Sequence, residues 1–120
     1  MEDKLPDYVL EQCVIYIKNH MIVIRLLNLG MKPYYTAYYS INSKFKYKDI
    51  DWIDNNFPPV HGGYSFEPGV LEGINSDLTF VGWDYVYIGD VNENYSIDLI
   101  KEEAILALEE YINMFEEGER

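Results

Sequence analysis

Apolar and polar positions divide the chain into a strand-rich main part and a helical end. The run Val9 to Lys18 (VLEQCVIYIK) is rich in β-branched residues and reads as a strand, and Met21 to Asn28 (MIVIRLLN) reads as a second. Asn19-His20 between them is short enough for a turn, so the pair is expected to form a hairpin. Gly30 interrupts the pattern. Pro33 can start a strand but not sit centrally in one, which places a third strand at Tyr34 to Ile41 (YYTAYYSI). Its aromatics fall on both parities, so both faces of that strand should be covered. A three-stranded antiparallel meander is the economical assembly. Periodicity alone leaves open a helix over part of Val9 to Leu29, where Val, Ile and Leu run together.

From Asn42 to Pro59 the chain switches from basic to acidic, with Lys44, Lys46 and Lys48 at alternate positions, then Asp49, Asp51 and Asp54. In an extended segment the three lysines would share one side, as a cationic strip or a guarded sheet edge. Asn55 to Pro59 reads as a turn, and Pro58-Pro59 force an extended approach to His61. A short strand is expected from Gly63 to Glu67, a loop from Pro68 to Asp77, and a strand from Leu78 to Tyr87 that Gly89-Asp90 terminates. Gly82 within that strand points to a bulge or a close approach of another group.

The C-terminal segment carries a helical signature. Ser96 suits the N-cap, Asp98 lies where the helix dipole favours negative charge, and Ile97, Ile100, Ala104, Leu108, Tyr111 and Phe115 recur at three- and four-residue intervals. A helix of about five turns follows, with Gly118 placed to stop it. Glu102, Glu103, Glu109, Glu110, Glu116 and Glu117 supply much of the acidity. The expected architecture is one α+β domain over residues 1–120. It has a loose lead-in at 1–7, mainly strands and loops at 8–90, and a C-terminal helix at 96–117 packed on a curved antiparallel sheet of about five strands.

Composition narrows the function. A length of 120 residues with 48% hydrophobic and 16% aromatic content suffices for a packed core. The formal charge of −12 disfavours direct nucleic-acid binding, which needs a basic face. It leaves an acidic surface that mimics nucleic acid toward a basic partner, or a solvated exterior around a different pocket. Cys13 is the single cysteine, so no internal disulfide or thiolate metal site can form, and it reads as a small core residue. The N-terminus lacks a signal-peptide pattern and no apolar run reaches membrane-spanning length, so a soluble cytoplasmic protein without membrane contact is expected. A small open sheet leaves edges, which favours a homo-oligomer whose site could lie at a subunit boundary.

Two blocks combine glycines, ionisable groups and aromatics: Val60-His61-Gly62-Gly63-Tyr64-Ser65-Phe66 and Phe80-Val81-Gly82-Trp83-Asp84-Tyr85. His61 could act as a base, a donor or a metal ligand, or hold a tight turn. No His-x-x-x-His or Cys-x-x-Cys spacing supports a metal. Asp84, flanked by Trp83 and Tyr85, needs a partner, for which His61, a lysine and the amides near Gly62-Gly63 are candidates. Ser65 lacks a nucleophile-elbow motif, and the phosphate-binding glycine fingerprints are absent. The candidate ligand-binding set is therefore His61, Gly62, Gly63, Tyr64, Ser65, Phe66, Trp83, Asp84 and Tyr85. No catalytic residue, metal or cofactor is assigned. The aromatics could stack on a base, Ser65 and Asp84 could bond ribose or base edges, and Arg25 or a lysine could meet phosphate. Each aromatic taken singly fits equally well as a core residue.

His61-Gly62-Gly63-Tyr64-Ser65-Phe66, then Val81-Gly82-Trp83-Asp84-Tyr85 and Gly89-Asp90, resembles a family of small phage and prophage proteins. These carry a His-Gly-Gly-aliphatic-Ser/Thr-aromatic motif and a Gly-aromatic-Asp…Gly-Asp motif before a C-terminal helix. Tyr38-Tyr39 and Lys46-Tyr47-Lys48-Asp49 match more faintly, and the resemblance spans about residues 35 to 115. Tyr64 replaces the usual aliphatic residue, and Tyr87 stands where many relatives have a histidine, which favours binding over chemistry. The resemblance implies phage origin. By analogy with accessory phage proteins, it implies a role against host defence in an infected bacterium. The first expectation is a small nucleotide ligand of the cyclic ADP-ribose or ADP-ribose-conjugate type, sequestered without cleavage. The alternative is an acidic nucleic-acid mimic that inhibits a host defence nuclease through the glutamates of the C-terminal helix, and the third is a nucleotide hydrolase using His61 and Asp84.

Overall fold

The computed structural model describes residues 5–30, 32–75, 77–86 and 96–117. Strands β1 (Val9–Ile17), β2 (His20–Leu27), β3 (Tyr34–Ile41), β4 (Phe66–Gly69) and β5 (Thr79–Asp84) form one open antiparallel sheet. Their order is β1-β2-β3-β5-β4. A short helix α1 (Ile50–Asn56) and a long helix α2 (Ile97–Ile112), extended by a wider turn at Asn113–Glu117, complete the α+β fold. No described helix is long and apolar enough to cross a membrane.

The hairpin and meander form as the pattern predicts, with strand throughout Val9–Ile17. The turn lies one residue earlier than expected: Lys18 and Asn19 take φ values of 46° and 69°. Positive φ at both central residues is the type I′ geometry that matches strand twist. Both faces of β3 are covered. Ala37, Tyr39 and Ile41 join Ile22, Ile24, Val81 and Trp83 beneath α2, while Tyr38 joins Val23, Phe80 and Leu71 on the opposite face.

Helix α2 begins where its sequence directs, with Ser96 Oγ accepting from Leu99 N at 3.3 Å. It buries Ile100, Ala104, Ala107, Leu108, Tyr111 and Ile112. Its far end is tied to β2 through His20, whose Nε2 meets Glu116 Oε1 at 2.8 Å while Nδ1 meets the Ser40 carbonyl at 2.7 Å. Gly118, expected to stop the helix, lies outside the described residues, as do Tyr87 and Gly89-Asp90.

The segment between β3 and β4 departs from expectation. Its lysines do not lie along an extended strand: Ser43–Phe45 is a single 3₁₀ turn and Lys46-Tyr47 continue as a turn. Phe45 is buried there among Trp52, Phe57, Tyr111 and Phe115, and this anchor bends the chain. Residues 50–56 are helical because Asp49 Oδ1 caps Trp52 N at 2.9 Å and Ile53 is fully buried. The helix stops at Phe57, since the following Pro58 disfavours α geometry. β4 starts at Phe66 rather than Gly63, because His61 and Tyr64 give their amides to the helical side chains of Glu103 and Asp54 instead of a ladder, and among the described residues of the expected Leu78 to Tyr87 strand β5 covers Thr79–Asp84.

Candidate functional site

Val60 to Gly63 make a tight turn, closed by Gly63 N donating to the Val60 carbonyl at 3.0 Å. Gly62 has φ 70°, as the third position of a type II turn requires. Gly63 follows at φ 82°, and a Cβ there would come 3.0 Å from Asp54 Oδ1. The same carboxylate oxygen accepts from Tyr64 N at 3.0 Å. Glu103 of α2 grips the other end of the turn: Oε2 accepts from His61 N at 2.8 Å, and Oε1 accepts from the Tyr85 hydroxyl. Two acidic side chains from two helices therefore occupy the amides that an anionic ligand would use. A phosphate at those amides would have to displace carboxylates already bonded to them.

Beyond the turn, the loop wraps the end of β5 and touches both sheet faces. The His61 ring stacks on Tyr85 with centroids 4.5 Å apart and planes 15° apart, on the α2 side. Ser65 lies at the other face, where its hydroxyl donates to Asp84 Oδ2 at 2.7 Å and its N–H donates to the Gly82 carbonyl at 3.0 Å. Side chains alternate along a strand, so Asp84 points away from Trp83 and Tyr85. His61, one of the three candidate partners of Asp84, thus does not pair with it. The second oxygen of Asp84 accepts from Val86 N at 3.2 Å, so its companion is Ser65 and the local backbone.

The aromatic residues of the two blocks are mainly core. Trp83 is 1% exposed, Tyr85 3% and Tyr64 6%. Trp83 Nε1 donates to the Tyr85 hydroxyl at 3.1 Å, which passes its own hydrogen to Glu103. Tyr39 donates to the Tyr64 hydroxyl at 2.8 Å, and Tyr64 donates to the Pro58 carbonyl at 2.7 Å. Burial holds both tyrosines well above the ordinary phenol range. Phe66 is half-buried on the opposite face, edge-on to Tyr38 at 5.2 Å. Gly82 fulfils the close approach read from its position, and the approaching group is the Tyr38 ring.

Arg25, expected to be available for phosphate, is 1% exposed beneath the loop that follows β4. Its Nε donates to Gln12 Oε1 at 2.7 Å and its Nη2 to the Glu72 carbonyl, above which Tyr8 donates to the Glu72 carboxylate at 2.7 Å. Burial lowers its pKa from the ordinary guanidinium value. Opposite Arg25 on β3 lies Thr36, whose buried Oγ1 makes no hydrogen bond among the described residues. No group of three metal-ligating side chains occurs among the described residues.

Two open surfaces formed by described residues are not made of the motif residues. A groove of about 370 Å³ runs beside α2, lined by Pro59, Leu99, Glu102, Glu103, Leu106 and Glu110, with Leu99 55% and Leu106 67% exposed. A cleft of about 460 Å³ lies between the Ser43–Tyr47 turn and β4, and includes Ser43, Lys46, Tyr47, Asp77 and Thr79. Sequence reasoning counted the α2 glutamates as surface acidity but did not mark Leu99 and Leu106, whose i, i+7 spacing on the glutamate face was the available signal. It also missed Asp54 and Glu103 as clamps, since nothing local distinguishes them from neighbouring acids. No protein-family model, curated protein or solved structure matches this chain.

Proposed function

We propose that the protein is a non-catalytic binding protein that uses the acidic face of α2 to engage a basic, partly apolar surface of another protein. The observation that carries this is the stripe Leu99–Glu102–Glu103–Leu106–Glu110, which sets two exposed leucines among carboxylates. Glu102, Glu109 and Glu110 are exposed on this helix, so the face carries several carboxylates together. Such a surface suits a partner whose own ligand is a nucleic acid, in keeping with an inhibitor of a host defence nuclease. Catalysis by His61 and Asp84 gains no support, because the two side chains lie on opposite faces of β5 and each is engaged elsewhere. The test is DNA binding by an RNA-guided nuclease with and without the protein. Inhibition should weaken steeply with salt and disappear in Glu102→Lys/Glu109→Lys/Glu110→Lys, while His61→Ala and Asp84→Ala retain it. Salt-independent inhibition, or full inhibition by the lysine variant, would count against the reading.

One observation favours a second reading, sequestration of a nucleotide such as a cyclic ADP-ribose inside an infected bacterium. Tyr47, 89% exposed, and Lys46 stand together at the 460 Å³ cleft, offering a stacking face and a cation beside the hydroxyls of Ser43 and Thr79. Calorimetry with cyclic ADP-ribose distinguishes the two: Tyr47→Ala and Lys46→Glu should abolish heat of binding that the α2 lysine variant retains.

A further inference from the structure

The two edges of the sheet are built differently. At one edge, β4 is only four residues long, contains Pro68, and shifts register between Phe66 and Gly69. Short length, proline and irregularity are the devices that keep an edge from pairing with another chain. At the other edge, β1 has nine residues with no proline and no lysine or arginine. Its one irregularity lies between Val9 and Glu11, after which the register to β2 is unbroken as far as Ile17↔His20. Tyr16 is 73% exposed there, while Cys13, Val14, Ile15 and Ile17 are only half-buried.

The type I′ turn fixes which backbone groups of β1 point outward. In a two-residue hairpin the residues flanking the turn exchange hydrogen bonds, so Ile17, Ile15, Cys13 and Glu11 direct their N–H and C=O groups toward β2. The groups of Gln12, Val14 and Tyr16 then point away from the sheet, and no described residue pairs with them. The regular stretch Glu11 to Ile17 has Val14 at its centre, and Val14 is one of the outward residues.

We infer that β1 is a dimerisation strand, pairing antiparallel with β1 of a second copy about a two-fold axis at Val14. In this register every residue from Glu11 to Ile17 has a partner. Val14 meets its symmetry mate, and Gln12 meets Tyr16 of the partner subunit, so each outward N–H finds an outward carbonyl. Glu11, the only charged residue of the strand, comes opposite Ile17 of the partner subunit and next to Lys18 of the partner subunit, an opposite charge. The product is a continuous sheet of twice five strands with both α2 helices on one side. The acidic grooves lie on α2, away from the joined edge, so this inference stands whether or not the proposed partner reading holds.

Light scattering on the whole chain at micromolar concentration should give twice 14.1 kDa. Val14→Pro removes only an outward N–H and should give a monomer with an unchanged far-UV spectrum, whereas Ile15→Pro should disrupt the hairpin itself. Tyr16→Lys, which installs the missing edge charge, should also give a monomer, and it decides the matter if the proline variant fails to fold. In a Cys13→Ser/Val14→Cys protein, mild oxidation should link two chains covalently, fixing the register. A wild-type mass of 14.1 kDa, or a dimer that survives both Val14→Pro and Tyr16→Lys, overturns the inference.

Discussion

Gly82 lies directly beneath the Tyr38 ring, with no space between them for a methyl group. A Cβ on Gly82 would come 2.4 Å from Tyr38 Cδ2 and 2.7 Å from the Ala37 carbonyl oxygen. One neighbour is backbone of the adjacent strand, so relief cannot come from a side chain alone. Gly82→Ala should therefore destabilise by about 3 kcal/mol or more, at the upper end of overpacking costs. Gly30→Ala, with nothing within 4 Å but φ 87°, should cost only about 1 kcal/mol. Urea midpoints of the two variants give the comparison.

Tyr85 and Glu103 hold the His-Gly-Gly turn and the Trp83 indole in one network. Tyr85→Phe leaves Trp83 Nε1 without its acceptor and frees one Glu103 oxygen, and should cost about 1–3 kcal/mol. Glu103→Gln should cost a similar amount, since an amide supplies one acceptor oxygen where two are used. The double variant should lose less than the sum of the singles, because both break the same chain of bonds. Additive losses would show that the network does not act as a unit.

Tyr39 and Tyr64 make stability sensitive to alkali. Their phenols are raised in the folded protein by burial, against an unfolded value of 10.0. Above that value the unfolded chain releases protons that the folded chain keeps, so their contribution is complete below pH 10 and declines as pH rises. Tyrosinate absorbance should show Tyr39 and Tyr64 ionising only as the fold is lost. Tyr64→Phe should shift the alkaline transition upward in pH while lowering stability at neutral pH.

Arg25 is a buried cation held by neutral oxygens: a side-chain amide and a backbone carbonyl. The nearby carboxylate of Glu72 is exposed, so removing Arg25 leaves no buried opposite charge. Arg25→Met, close in length, should change stability by no more than about 1 kcal/mol, whereas Arg25→Ala should cost about 3 kcal/mol through the space it leaves. Equal losses in the two variants would assign the residue's importance to its charge.

The hairpin, the third strand, the helix and its Ser96 cap were legible because each rests on local pattern. Helix α1 was not, because seven residues capped by Asp49 carry too little periodicity to register. The two motif blocks do meet in space, but the strand alternation that separates Asp84 from Trp83 and Tyr85 also separates it from His61. Read with that parity, the block describes a clamp around the end of β5 rather than a row of groups around one ligand. Arg25 sits between Val23 and Leu27 on the same parity of β2, so its burial could have been read from period alone. What could not be read is the cover over it, which comes from Tyr8 and Glu72.

The order of the strands also bears on how fast the chain folds. β1, β2 and β3 pair with their neighbours in sequence across short turns, whereas Ile41 pairs with Thr79 across an intervening segment of about forty residues that contains α1 and β4. That closure costs entropy before Trp83 and Tyr39 can pack together, so the central β3–β5 ladder is expected to form late and to set the rate. Shortening the loop that precedes β5 should speed refolding with little change in the unfolding rate, a separation that stopped-flow fluorescence of Trp83 would report.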